Sequence, residues 1–285
     1  MIYNLKPKII RKVWGGKKLE SLKSISSLAS LADDLEPIGE TWEISHHPLS
    51  GLPLTYLAKF IDTSAELSIQ VHPGDEYARL HENSSGKTEC WIILSADKDA
   101  GIYLGLKPGV TEAQLRNWLS EKKSIDQLLN FYPVIPGNYF YVPAGSIHAI
   151  GKNVMLAEVQ QHSGITYRVW DWNRDRELHV DKSLDVINFN PRKNEKISFD
   201  FKPNIFQKNG RAELVRHSDF KVDVVTLNKG EKIEINEMRE YSVLNLAGKI
   251  KIHQGTIEAY QSLFINDEIT LLIEAIEDGS FLLIS

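Results

Sequence analysis

Short runs of alternating apolar and polar residues dominate the chain, and they predict strands. "AELSIQVH" (65–72), "CWIILSA" (90–96), "AGIYLGL" (100–106), "YFYV" (139–142), "VMLAEVQQ" (154–161) and "ITYRVWDW" (165–172) are separated by Gly, Pro or Asp-Lys breaks. Two pieces carry a helical signal instead. "TEAQLRNWLSEK" opens with Thr111 and Gln114 three apart, and "SIDQLLNFY" opens with Ser124 and Gln127 at the same spacing. Both fit a capping box, so the pattern predicts a helical insertion over about 111–132. "DEYARLHE" (75–82) reads as a short helix after Pro73-Gly74, and "KLESLKSISSLASL" (18–31) is open between helix and Ser-rich loop. The stretch 188–203, "NFNPRKNEKISFDFKP", is polar and Pro-bearing and reads as a linker. Beyond it comes a dense series of short strands with turn residues between them, at the spacing of a β-sandwich or barrel. The chain therefore divides into two β domains, 1–195 with the helical insertion and 200–285.

Composition narrows the function classes. With 285 residues, 42% of them hydrophobic and 25% charged, the chain has ordinary globular composition. A formal charge of −5 leaves no basic footprint for nucleic acid, although a few local Lys or Arg suffice for a small anionic substrate. One cysteine, Cys90, excludes an intrachain disulfide and a Cys-rich zinc site. The first residues, "MIYNLKPKIIRKVWGG", lack the apolar core of a secretory signal, and no apolar run approaches a membrane span. A cytoplasmic protein is the expectation.

Candidate chemistry comes from four residues. In "ELSIQVH", Leu67, Ile69 and Val71 alternate with Ser68, Gln70 and His72, so Gln70 and His72 share the polar face. Seventeen residues after His72, Glu89 leads directly into an apolar strand, with Lys87 on its face and Thr88 and Cys90 opposite. A carboxylate there needs a partner, and a metal ion supplies one. In "GNYFYVPAGSIH", Gly137, Pro143, Gly145 and His148 follow the spacing Gly-x5-Pro-x-Gly-x2-His. That is the second signature of the cupin β-barrels, in which Pro and Gly turn one strand into the next and aim the histidine inward. The segment around Gln70 and His72 resembles the first cupin signature with one histidine replaced. Taken singly, each residue reads as a polar group at a strand end. Together, two imidazoles, one carboxylate and an amide oxygen leave a divalent ion with net positive charge and open positions. Of the other histidines, His46, His47, His81, His162, His179, His217 and His253 read as turn or surface residues, with His46, His47 and His162 the least settled. Glu158 sits in an apolar strand and Arg168 stands on the next one, each open between an edge residue and a charge pointing into a cavity.

At this point the chain resembles the type I mannose-6-phosphate isomerases of the cupin superfamily, in the shorter bacterial form. The pieces that carry the resemblance are "VWGG" (13–16), "GETWEIS" (39–45), "LSIQVHPGDEYA" (67–78), "GKTECWIIL" (86–94), "VPAGSIHAI" (142–150) and "AEVQQHSGITYRVWDW" (157–172). They span nearly all of the first domain. The resemblance implies two cupin-like jelly-roll β-barrels, the second degenerate and structural. It implies a zinc-dependent aldose–ketose isomerase that interconverts mannose 6-phosphate and fructose 6-phosphate through a cis-enediol. Carried over by motif, His72, Glu89 and His148 match zinc ligands, and Gln70 matches a fourth for which water is the alternative. Arg168 matches an active-site arginine, Glu158 a carboxylate of the proton transfer, and Lys87 a lysine of the pocket. The expected partner is a hexose phosphate, with monomer and homodimer both open. The long insertion domain of larger members is absent, replaced by the compact stretch 97–135. Two other classes share parts of the pattern: a sugar-phosphate sensor that has lost activity, and a non-haem iron dioxygenase using two His and one carboxylate. Lys87, Glu158 and Arg168 suit a sugar phosphate better than oxygen activation.

Overall fold

The structure is a computed structural model that describes residues 1–23, 36–236, 240–253, 255–266 and 270–285. Its described strands form four sheets of six, five, six and four strands, and the mainly-β, cupin-like architecture expected from the sequence is the one observed. One six-stranded sheet carries, in order across it, strands Lys8–Gly16, Ile38–His46, Pro53–Asp62, Val154–Gln161, Glu89–Ala96 and Tyr139–Val142. The five-stranded sheet that faces it carries Tyr167–Trp170, Ile69–Val71, His148–Ile150, Gly101–Leu106 and Leu129–Pro133.

The alternation of side chains decides what each layer buries. Tyr56, Ala58 and Phe60 join Cys90, Ile92, Met155, Ala157 and Val159 in a core shared with Val222, Val224, Leu282 and Ile284 of the C-terminal region. The intervening residues Ile61, Trp91, Ile93 and Leu156 point the other way, to a core with Ile102, Leu104 and Ile150 of the five-stranded sheet. A period of two along each strand thus gives the inner sheet one face for the C-terminal region and one for a barrel interior. The outer face of the five-stranded sheet is sealed by Leu115, Ile125, Leu184 and Ile187 packed on Ile69, Val71 and Val169. In the C-terminal region the second six-stranded sheet packs on the four-stranded one through Val225, Val243, Ile273 and Phe281.

Four local outcomes differ from the sequence expectation or extend it. Thr111 does cap helix Glu112–Ser120, accepting from the Gln114 N–H at 3.2 Å. The second helical piece does not form: Ile125–Leu128 is a single 3-10 turn and Leu129–Pro133 is a strand paired with Gly101–Leu106. Ser124 spends its hydroxyl on the Asp126 carboxylate rather than on a backbone N–H, and ladder bonds to the neighbouring strand outweigh a marginal helix. The polar stretch 188–203 is no free linker. Asn194 and Phe199 are buried in it, and Asn194 accepts from the Leu106 N–H at 2.8 Å while donating to the Asn188 and Asn190 carbonyls at 2.8 and 2.9 Å. Finally, Ile2–Asn4 pairs with Ser262–Ile265, so the N-terminal strand completes the sheet of the C-terminal region. Helix Asp75–Glu82 is present, and Lys18–Leu22 is helical; the predicted stretch from residue 24 to 31 lies outside the described residues. Among the described residues no helix is long and apolar enough to cross a membrane.

Candidate metal centre

Three strands bring the candidate residues into one row. Arg168 lies opposite Gln70, and Gln70 lies opposite His148, across the five-stranded sheet. Ile69 and Val71 bury outward in the helical layer, which forces Gln70 into the barrel. His148 begins its strand after the turn at Pro143–Gly145, where Gly145 takes φ +84 and its N–H donates to the His72 carbonyl at 2.8 Å. A positive φ favours glycine, and this hydrogen bond ties the turn to the segment that carries His72. The loop from Pro73 to Lys87 closes through the Lys87 N–H to the Pro73 carbonyl at 3.0 Å and the Gly86 N–H to the Asp75 carboxylate at 2.8 Å. That closure sets Lys87 and Glu89 against His72.

The metal-binding group is compact. One ligand atom from each of His72, Glu89 and His148 lies within 4.8 Å of the others, and all three residues are buried. His72 Nε2 is 3.7 Å and His148 Nε2 is 3.4 Å from the Glu89 carboxylate, with Lys87 Nζ at 3.6 Å. Each imidazole engages a carbonyl through Nδ1, His72 that of Ile165 and His148 that of Ser146, both at 2.9 Å. With the proton on Nδ1, each Nε2 keeps its lone pair for the interior. Burial holds both histidines neutral, His72 well below the ordinary imidazole range and His148 at about 3, helped by the nearby Lys87. Burial, then the negative charge of Glu158, pushes Glu89 up to about 8. His72 Nε2 and both Glu89 oxygens are buried with no hydrogen-bond partner among the described residues. Such a set of orphaned donor atoms is costly unless a cation completes it, and two neutral imidazoles with one carboxylate fit a divalent ion. Gln70 sits beside them, its amide nitrogen 3.3 Å from His148 Nε2 and its oxygen accepting from Ser68 at 3.2 Å. Turning that amide over would present its oxygen to the same point.

These residues open onto a cavity of about 390 Å³, whose walls include Gln70, Lys87, Glu89, His148, Glu158 and Arg168. The seven residues singled out in the sequence are therefore brought together, His72 through the ligand group and the rest as walls. Glu158 is buried, accepts from the Trp91 indole N–H at 3.2 Å and pairs with Lys59 at 3.0 Å. Lys59 also reaches Glu40 at 3.3 Å. Burial opposes the Lys59 ammonium, but Glu158 and Glu40 win and hold its pKa above the usual lysine range. Lys59, Glu40, Trp91, Gln160 and Arg176 line the cavity but were not picked from the sequence. A lysine inside "TYLAKFID" and a glutamate inside "IGETWEI" carry the same signal that marked Glu158, a charge on an apolar strand. His162 also lines the cavity, edge-on to His46 at 5.5 Å between ring centres, whereas His47 pairs with Glu240 at 3.0 Å.

No family model matches the chain. Among curated relatives, it is 44% identical over 160 residues to mannose-6-phosphate isomerase ManA of Bacillus subtilis, a match covering 53% of this chain and 50% of that protein. It is 34% identical over 219 residues to the probable mannose-6-phosphate isomerase GmuF of the same organism, covering 64% of this chain and 67% of that one. The match thus spans half the length of the first relative and two thirds of the second. The crystal structure of a mannose 6-phosphate isomerase from Bacillus subtilis superposes with a TM-score of 0.78 at 23% identity, covering 99% of this chain and 98% of that one. A mannose 6-phosphate isomerase bound with zinc and yttrium gives 0.76 at 14% identity, covering 99% and 98%. At 34% identity over two thirds of the length of that second relative, the chain belongs to the mannose-6-phosphate isomerase family.

Proposed function

We propose that this chain is a zinc-dependent isomerase that interconverts mannose 6-phosphate and fructose 6-phosphate in the cytoplasm. The observation that carries the proposal is the buried His72–Glu89–His148 group, with His72 Nε2 and both Glu89 oxygens lacking a hydrogen-bond partner among the described residues, opening onto a cavity that also holds a fixed carboxylate and an arginine.

His72, Glu89 and His148 would hold the ion, with Gln70 or a water as the fourth donor. When bound, zinc would supply Lewis acidity for the negative charge that develops on the sugar oxygens. The isomerisation moves a carbonyl by one carbon, so a proton must leave C2 and arrive at C1 through a cis-enediol. Glu158 is the group we assign to carry that proton. Lys59 and the Trp91 indole grip its two oxygens, so the carboxylate enters the reaction already oriented. Arg168 brings a permanent positive charge to the far end of the row that holds Gln70 and His148, where it would hold an anionic group of the substrate and so orient the sugar. Lys87, 3.6 Å from Glu89 on the cavity wall, would donate to a substrate hydroxyl.

The test is fructose 6-phosphate formation from mannose 6-phosphate in a coupled assay, before chelation, after it and after zinc add-back. Loss and recovery of turnover support the proposal. Tight sugar-phosphate binding without turnover in the zinc-loaded protein would favour a sensor, and oxygen uptake with iron would favour an oxygenase.

A further inference from the structure

The charges that line the cavity do not cancel evenly. Lys59 is neutralised by Glu158 and Glu40, Lys87 lies against Glu89, and Lys12 lies in the field of Glu40. Arg168 and Arg176 remain, and neither pairs with a carboxylate of the cavity wall. Arg168 donates from Nη1 to the Glu177 carbonyl at 2.7 Å, and its Nε is buried with no hydrogen-bond partner among the described residues. Arg176 is held from behind. Asp171, buried just past strand Tyr167–Trp170, accepts from Arg176 Nε at 2.7 Å and Nη2 at 2.5 Å. The same carboxylate takes Nη2 of Arg174 at 2.9 Å, so one negative charge is shared between two guanidinium groups. Arg176 thus keeps a net positive field, and its Nη1 has no partner among the described residues, while its plane is fixed.

We propose that Arg176, oriented by Asp171 and working beside Arg168, forms the subsite for the substrate's phosphate dianion. Two adjacent guanidinium groups with free N–H donors match phosphate oxygens in charge and geometry. Burial, then the field of Arg176, draws the Arg168 pKa down, and the negative charge of Asp171 only partly opposes them. The placement suits a hexose phosphate. Arg168 is two strands from His148, about 10 Å at the usual strand spacing, so a sugar with its first carbons at the metal group extends toward the arginines. Thr166, on the Arg168 face two residues earlier, lines the same wall and adds a hydroxyl donor. Asp171 is a positioning residue, because it touches Arg176 rather than substrate.

The identity of the sugar rests on the isomerase reading; the anion subsite rests on the cavity alone, and the test separates them. Inorganic phosphate is titrated into zinc-loaded wild type, Arg176→Ala, Arg176→Lys and Asp171→Asn by calorimetry, with zinc content measured on each. Arg176→Ala should weaken phosphate binding by at least about tenfold, the scale of one charged hydrogen bond, with zinc unchanged. Arg176→Lys should retain part of the affinity and Asp171→Asn should lose an intermediate share. Should the isomerase reading also hold, Arg176→Ala raises KM for mannose 6-phosphate far more than it lowers kcat. Wild type that binds no phosphate, or Arg176→Ala that binds it as wild type does, overturns the subsite. Phosphate binding that depends on Arg176 in a protein without mannose 6-phosphate turnover leaves the subsite standing and removes the isomerase.

Discussion

Replacing Lys59 with methionine removes a buried cation and leaves its two carboxylate partners in place. The Lys59 side chain is 9% exposed, and the Glu158 and Glu40 side chains it bridges are 4% and 12% exposed. Truncating one partner of a buried pair typically costs about 3–5 kcal/mol, because the surviving charge has lost its compensation. The pKa of Glu40 gives a second route to the magnitude. Burial alone would raise it, yet Lys59, then the Trp42 N–H, holds it at about 2 against an ordinary 4.5. That depression corresponds to about 3 kcal/mol. A depressed carboxylate contributes its stability above its unfolded pKa and loses it as pH falls through the folded one. The wild-type contribution is therefore present at neutral pH and lost between about pH 4.5 and 2. For 285 residues the unfolding entropy is about 0.6 kcal/mol/K, so 3–5 kcal/mol lowers Tm by roughly 5–8 °C at pH 7. Scanning calorimetry on zinc-loaded protein at pH 7 and at pH 4 reads both effects. The deficit of Lys59→Met should shrink at pH 4, where Glu40 in the variant is protonated, and adding Glu40→Gln and Glu158→Gln should restore most of the Tm. A Tm within about 2 °C of wild type at pH 7, or a deficit that ignores pH, would refute the reasoning.

Other perturbations follow from the same geometry. Glu89→Gln keeps the shape of the site but removes the only anion of the ligand group; bound zinc by elemental analysis should fall from near one per chain to a small fraction, and the Tm gain on adding zinc should vanish. Asn194→Ala leaves the Leu106 N–H and the Asn188 carbonyl without this partner, while the Asn190 carbonyl keeps the Lys193 N–H, and denaturant unfolding should show about 2–4 kcal/mol of lost stability. Gly86→Ala places a Cβ 2.6 Å from the Asp75 backbone nitrogen and 2.7 Å from the Gly74 carbonyl carbon. The loop that sets Lys87 and Glu89 must then shift, so kcat/KM should drop at least about tenfold while circular dichroism stays native.

What the sequence reveals of this site depends on the range of the signal. His72, Glu89 and His148 are legible because each is placed by its own strand or turn, through a period of two or a Pro–Gly corner. Lys59 was not read, because its meaning lies in the pairing of Pro53–Asp62 with Val154–Gln161, which sets it opposite Glu158. A register between strands a hundred residues apart has no local trace beyond one charge in an apolar run. Arg176 is hidden for a related reason. Nothing in "NRDRELH" says which of its charges meets Asp171 and which faces the cavity. The misread helix at "SIDQLLNFY" shows the converse, a clean local cap signal overruled by tertiary strand pairing. The N-terminal strand Ile2–Asn4 likewise finds its partner at the far end of the chain.

The central claim is that this cavity moves a proton between C2 and C1 of a hexose phosphate with Glu158 as the carrier. The most direct measurement follows mannose 6-phosphate, incubated with zinc-loaded protein in heavy water, by proton NMR, alongside Glu158→Gln. The account predicts fructose 6-phosphate carrying deuterium at C1, and a rate reduced by at least about a hundredfold in the variant, the scale of general acid–base catalysis. No fructose 6-phosphate, or product free of deuterium formed equally fast by the variant, would contradict it.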